Sequence, residues 1–165
     1  MTTLKRITTD YIDVEDRIRV AGEYSAGAPV VIWLTRRLLQ RLLPALLLWL
    51  ERQGADTPHA TILLGFAQQA ARAELAPAPA VQTSANSTAW LVLSVDVAQS
   101  VQAVGLTFKG THEQRVTLTL AAKPLRQWLS ILYDAYRKAE WPLDLWPQWL
   151  RESNQPAGQQ GVVLH

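Results

Sequence analysis

The hydrophobic period of this chain switches from two residues to a helical repeat and back again, and that order limits the folds open to it. Ile12, Val14, Ile18 and Val20 recur at every second position with charged residues between them, the pattern of strands buried on one face. Glu15-Asp16 between the two runs suits a hairpin turn, and Gly22 to Pro29 reads as a turn-rich connection. From Val30 to Gln53 the spacing becomes helical, with Gly54 as the stop. Pro44 lacks a backbone donor and crowds the carbonyl four residues before it, which predicts a kink or two abutting helices. Thr57-Pro58 supplies an N-cap and a first helical residue for a second helix reaching about Leu75 through Ile62, Leu63, Phe66 and Ala70.

Ala76 to Thr88 has the composition of a flexible linker or long loop. Alternation then returns. Leu91, Leu93, Val95 and Val97 share one face, followed by Val104, Leu106 and Phe108, then by Val116, Leu118 and Leu120, with Lys109-Gly110-Thr111 as a hairpin turn. Pro124 opens a last helix to about Glu140, with an apolar stripe through Leu125, Trp128, Leu129, Leu132 and Tyr136. Trp141 to Leu150 is a proline-broken aromatic wrap. The expected fold is α+β: an antiparallel sheet or small sandwich, a helical hairpin inserted at about 30–75, and a C-terminal helix at about 124–140. Residues 1–152 form one domain in this reading. Residues 153–165 form a polar tail whose Val162-Val163-Leu164 suits strand addition to a sheet edge.

Composition supplies the exclusions. With 48% hydrophobic and 18% charged residues in 165, a packed core is affordable and disorder is excluded. Sixteen basic against fourteen acidic residues give a formal charge of +2, too little for binding of nucleic acid or membranes by bulk charge alone. The absence of cysteine removes disulfides, thiolate nucleophiles and sulfur-ligated metals together. The greasiest run, Leu42 to Leu50, is nine residues long against the roughly 20 that span a bilayer. Met1 to Thr9 lacks the apolar region of a secretion signal, so a cytoplasmic protein is expected.

The stretch Glu15-Asp16-Arg17-Ile18, followed after a loop by Val31-Ile32-Trp33-Leu34-Thr35-Arg36-Arg37-Leu38-Leu39, resembles a family of uncharacterised bacterial proteins with a "DR(I/L)…WLTRR" signature ahead of a leucine-rich helix. The resemblance runs from about Tyr11 to Ala45. It implies a small stand-alone bacterial domain and no particular reaction. At the level of fold, a sheet with an inserted helical hairpin is similar to the globular heads of scaffold proteins that carry a long coiled coil, a segment this sequence lacks.

Two groups of residues stand out as candidate sites. Trp33, Arg36, Arg37 and Arg41 would share one helix at three- and four-residue spacings, an indole beside guanidinium groups that suits phosphates, bases or an acidic partner. The plain alternative pairs those arginines with Asp13, Glu15, Asp16 or Glu23 and packs Trp33 in the core. The second group is apolar: Leu47 and Leu48 on a helix greasy on nearly all faces, and Trp141, Trp146 and Trp149 near the C-terminus, as interface anchors or as core. The acidic cluster Asp10, Asp13, Glu15, Asp16 lacks the glycine and distal glutamate of a calcium loop, and His59, His112 and His165 have no metal-ligand spacing. No cofactor or metal is therefore expected. His112-Glu113 at a hairpin end and Ser84, Ser87, Ser94 and Ser100 read as turn residues, without a nucleophile, base and orienting group converging. The reading is a non-catalytic interaction or scaffold module, a homo-oligomer or binder of a protein partner. The alternative is nucleic acid or an acidic partner on the arginine face.

Overall fold

A computed structural model describes residues 2–54 and 58–154. Seven strands and four helices follow in the order β1 (Arg6–Ile12), β2 (Arg17–Glu23), β3 (Val30–Leu34), α1 (Arg36–Arg52), α2 (Ala60–Ala73), β4 (Thr88–Leu91), β5 (Ser94–Gln99), β6 (Ala103–Lys109), β7 (Arg115–Ala121), α3 (Ala122–Ala139) and α4 (Gln148–Ser153). The fold is α+β. One sheet has the order β1-β2-β3-β4 and the other β5-β6-β7. Every pairing between these strands is antiparallel except β3 with β4, whose parallel register (Val30 with Thr88, Trp33 with Leu91) spans the inserted helical hairpin; a parallel bridge also joins Thr3 to Thr117.

The two sheets are joined at both ends. Val92 N–H donates to the Trp33 carbonyl at 3.0 Å while the next amide, Leu93 N–H, donates to Lys109 at 2.8 Å, so one chain serves both sheets in succession. At the other end Leu4 N–H donates to Thr117 and Thr117 N–H to Thr2, and Lys5 N–H then donates to Glu23. Pairing thus runs from β1 to β4, passes along the chain from β4 into β5, continues to β7 and returns toward β1 through Thr2–Leu4. A single apolar core is drawn from β2, β3, β6, β7, α1, α3 and the C-terminal tryptophans.

Several expectations are corrected. Val30–Leu34 is a strand and not the start of a helix: its β-branched residues pair with β2, and Thr35 ends it by accepting the Leu38 N–H on its hydroxyl as the N-cap of α1. Pro44 leaves α1 as one helix over Arg36–Arg52. Val14 is exposed, because Asp13 to Asp16 form the turn and β1 begins earlier, at Arg6. The run from Leu91 to Val97 does not share one face. Trp90 and Val92 are buried in the first half, Val95 and Val97 pack on the core in the second, and Leu93 is exposed, since the parity shifts where the chain changes sheets. The proposed N-cap Thr57 lies outside the described residues.

The Ala/Pro-rich segment after α2 is a strap rather than a linker. Arg6 donates to the Pro79 carbonyl, Val81 N–H to Thr8 Oγ1 at 2.9 Å and Arg19 to Thr83 Oγ1 at 2.9 Å. Val81 closes a small second core with Ala21, Val31 and Trp33 on the outer face of β2 and β3. The body of the domain extends past residue 152: Ser153 donates to Gly65 O, and Asn154 is buried against Ser130. The remainder of the expected tail, with Val162-Val163-Leu164, lies outside the described residues.

Candidate functional site

The tryptophan-rich end is interior. Trp141, Trp146 and Trp149 are all buried, as is Leu47. Edge-to-face contacts run from Tyr11 to Trp141, Tyr136, Trp146 and Tyr133, with ring centroids 5.0–5.6 Å apart. The indole N–H groups tie elements together: Trp141 donates to Asp16 Oδ1, Trp149 to Glu51, Trp128 to Thr9 Oγ1 and Trp49 to the Ser100 carbonyl. Of the five apolar residues expected at an interface, Leu48 alone is exposed.

The open apolar surface lies instead on α2. Ile62, Leu63 and Phe66 are 56%, 52% and 63% exposed, although the same helix buries Leu64, Gln68 and Ala71. Beside them runs a groove of about 450 Å³ between α2 and α4, lined by Thr61, Ile62, Gly65, Phe66, Gln148 and Trp149 among others. A helix with an amphipathic stripe normally turns its apolar residues inward. Here the inward face is partly polar. Gln68 donates to the Arg126 carbonyl at 2.8 Å and to Ser130 Oγ at 2.9 Å, and Ser130 donates to Asn154 Oδ1 at 3.0 Å, locking α2, α3 and the end of α4 through buried hydrogen bonds. Helical spacing puts Ile62, Leu63 and Phe66 on one helix but does not show which of its faces is outward. The sequence carries no signal for this inversion, because a glutamine at helical spacing reads as the solvent side, and the burial of Gln68 against Arg126 and Ser130 is set by the tertiary packing.

The arginine–tryptophan cluster does not assemble as drawn from the sequence. Trp33 belongs to β3 and faces the outer core with Val81, on a different element from the arginines. Arg36, Arg37 and Arg41 are exposed on α1 and form no ion pair among the described residues. Arg36 lies close enough to Asp16 to favour its carboxylate, and Asp16 is held below the usual carboxylate range first by hydrogen bonds from Tyr11 and Trp141. Arg37 and Arg41 line two adjoining grooves of about 290 and 240 Å³ between α1 and the chain from Leu91 to Val97. Glu23 pairs with Arg6 at 3.0 Å and Glu15 with Arg17 at 3.8 Å, so two of the carboxylates considered for the α1 arginines are used elsewhere.

His112 sits in the β6–β7 turn with a left-handed backbone, φ 54°, on the rim of a cavity of about 490 Å³ that also meets Tyr24, Trp90 and Glu113. His59 precedes α2 without a side-chain cap, and His165 lies outside the described residues. No group of three or more His, Asp or Glu side chains is gathered for a metal among the described residues. None of the described helices is long and apolar enough to cross a membrane. No family model, no curated protein and no solved structure matches the chain.

Proposed function

We propose that this protein is a non-catalytic interaction module of the cytoplasm that self-associates through the exposed face of α2. The observation that carries the reading is the row Ile62, Leu63 and Phe66, more than half exposed beside an open groove. Large apolar side chains grouped on a surface mark contact sites, since each leaves water on association. A two-fold interface needs one patch to be both knob and hole. This face carries both: Leu63 and Phe66 protrude, and the groove over Gly65 and Trp149 lies next to them. From Ala60 to Ala71 there is no charged residue, so the apolar row on α2 carries no charge of its own, and Glu152 of α4 stands at the wall of the groove.

Solution mass by size-exclusion chromatography with light scattering tests this. The wild type is expected to be a dimer, and Phe66→Glu a folded monomer with unchanged circular dichroism, because an exposed substitution spares the core. Leu48→Glu, on the exposed face of α1, is expected to leave the dimer intact. A wild type that stays monomeric over a wide concentration range overturns the reading. A dimer dissociated by Leu48→Glu instead moves the interface to α1.

A further inference from the structure

We propose a second docking surface, independent of α2: the groove between α1 and the free edge of β5 takes an extended acidic segment of a partner protein, added as a strand beside β5. Three observations converge on it. The first is the edge. β5 ends its sheet, with β6 on one side only. Ser100 N–H donates to the Ala103 carbonyl, and those two residues continue the β5–β6 register. Hydrogen-bonded and non-bonded positions alternate along an antiparallel ladder, so the backbone groups of Val95, Val97 and Gln99 point away from β6. Such an edge is a template for another chain.

The second observation is charge. Arg37 and Arg41 stand exposed on α1 and form no ion pair among the described residues; Arg41 lines the groove beside β5, and both line its continuation beside Leu91–Leu93, where the chain enters β5. The acidic residue on β5, Asp96, is engaged by Lys109 of β6. Guanidinium groups held side by side with no carboxylate of their own suit carboxylates brought by a partner.

The third is spacing. Four residues of helix advance about 6 Å along the axis. Two residues of strand advance about 6.7 Å. Arg37 and Arg41 are therefore separated like alternate side chains on one face of an extended chain, and the matching partner carries carboxylates at positions i and i+2. Leu38, Leu42, Ala45 and Leu93 give the groove an apolar floor for the aliphatic stems of those side chains. An aromatic platform for stacked bases is missing from these walls, since Trp33 faces the outer core, which favours a peptide over a nucleic acid.

The test uses the full chain and a fluorescein-labelled peptide of alternating glutamate and valine, read by anisotropy. Three controls accompany it: the same peptide N-methylated at alternate residues, an alternating lysine–valine peptide, and a single-stranded oligonucleotide. The acidic peptide is expected to bind, with Arg37→Glu and Arg41→Glu each weakening it about tenfold or more. The N-methylated peptide, stripped of edge donors, is expected to lose binding, and Phe66→Glu to leave it unchanged. An acidic peptide that does not bind, or binds equally to the reversed-charge variants, overturns the proposal. So does undiminished binding of the N-methylated peptide, which would mean charge without strand addition. An oligonucleotide that binds the wild type more tightly than the peptide reassigns the arginines to nucleic acid.

Discussion

Asp16 concentrates several of the constraints on this chain in one side chain. Its Oδ1 accepts from Tyr11 Oη at 2.7 Å and from Trp141 Nε1 at 2.9 Å, tying the β1–β2 turn to the segment that follows α3. Its backbone is left-handed, φ 51°, a conformation that Asp and Asn tolerate better than other non-glycine residues. The two hydrogen bonds hold the carboxyl below its ordinary value of 3.8, and the same bond pushes the Tyr11 phenol up to about 12. The linkage signs follow from these directions. A carboxyl lowered by folding contributes stability above its unfolded value, and the contribution fades as pH falls through the folded value. A phenol raised by folding contributes below pH 10 and fades between 10 and about 12. Asp16→Asn keeps an acceptor oxygen and tolerates the backbone but no longer titrates. Its melting temperature should therefore lie below the wild type at pH 7 and converge on it in acid, in thermal unfolding followed across pH. A gap that is constant from neutral to acid pH would mean that Asp16 acts by shape alone.

Among the elements, α1 carries an apparent contradiction, a proline in mid-helix. The N–H that Pro44 lacks would have bonded the Gln40 carbonyl, and both residues lie on the exposed side, where water replaces the missing donor. That explains why α1 is not split into two helices at Pro44: the buried leucines at 39, 42, 43, 46, 47 and 50 hold the turns on both sides of the proline against the core. Pro44→Ala should restore the bond and raise stability by about 1–3 kcal/mol, measured by chemical denaturation. An unchanged or lower midpoint would show that the ring itself packs favourably. The same helix shows which elements were legible from sequence. Period identified β6, β7 and α3, since each has one covered face and alternates or repeats cleanly, and it identified the first half of β2 through Ile18 and Val20. It misread β3, which is covered on both faces, by the main core under Ile32 and by Val81 over Val31, so no alternation distinguishes it from a helix. The strap was illegible for a similar reason. Proline and alanine give no period, and its order comes from Arg6, Thr8 and Arg19 on strands distant in sequence. The arginine groove was half legible: the helix spacing of Arg37 and Arg41 was evident, but its other wall is β5, brought there by a parallel pairing that spans the inserted hairpin.

For the molecule as a whole, the decisive feature is how the two sheets are joined. β7 is extended by Thr2–Leu4 and β4 hands over to β5 within two residues, and of the strands that end a sheet β5 is the one bordered by the arginine-lined groove of α1. The join at β7 depends on a short segment anchored by one side chain. Leu4 is buried against the backbone of Gly22, where an added Cβ would lie 2.7 Å from its Cδ2. The leucine side chain fills the space that the glycine leaves, so a larger residue at 22 has to displace it. Leu4→Ala should cost about 2–5 kcal/mol, the range for a buried leucine with its cavity. It should also speed hydrogen exchange at the Thr117 amide, whose acceptor is the Thr2 carbonyl. Gly22→Ala alone should destabilise by forcing the Leu4 side chain aside. In the Leu4→Ala background that penalty should shrink, because the clashing atoms are gone, giving a coupling of about 0.5–3 kcal/mol in a double-mutant cycle. Additive losses would mean that the two residues act separately, and that the join is held by the backbone bonds of Thr117 to Leu4 and Thr2 without help from packing. A coupled loss with fast exchange confined to Thr117 would instead place the seam of the fold between its first strand and its last.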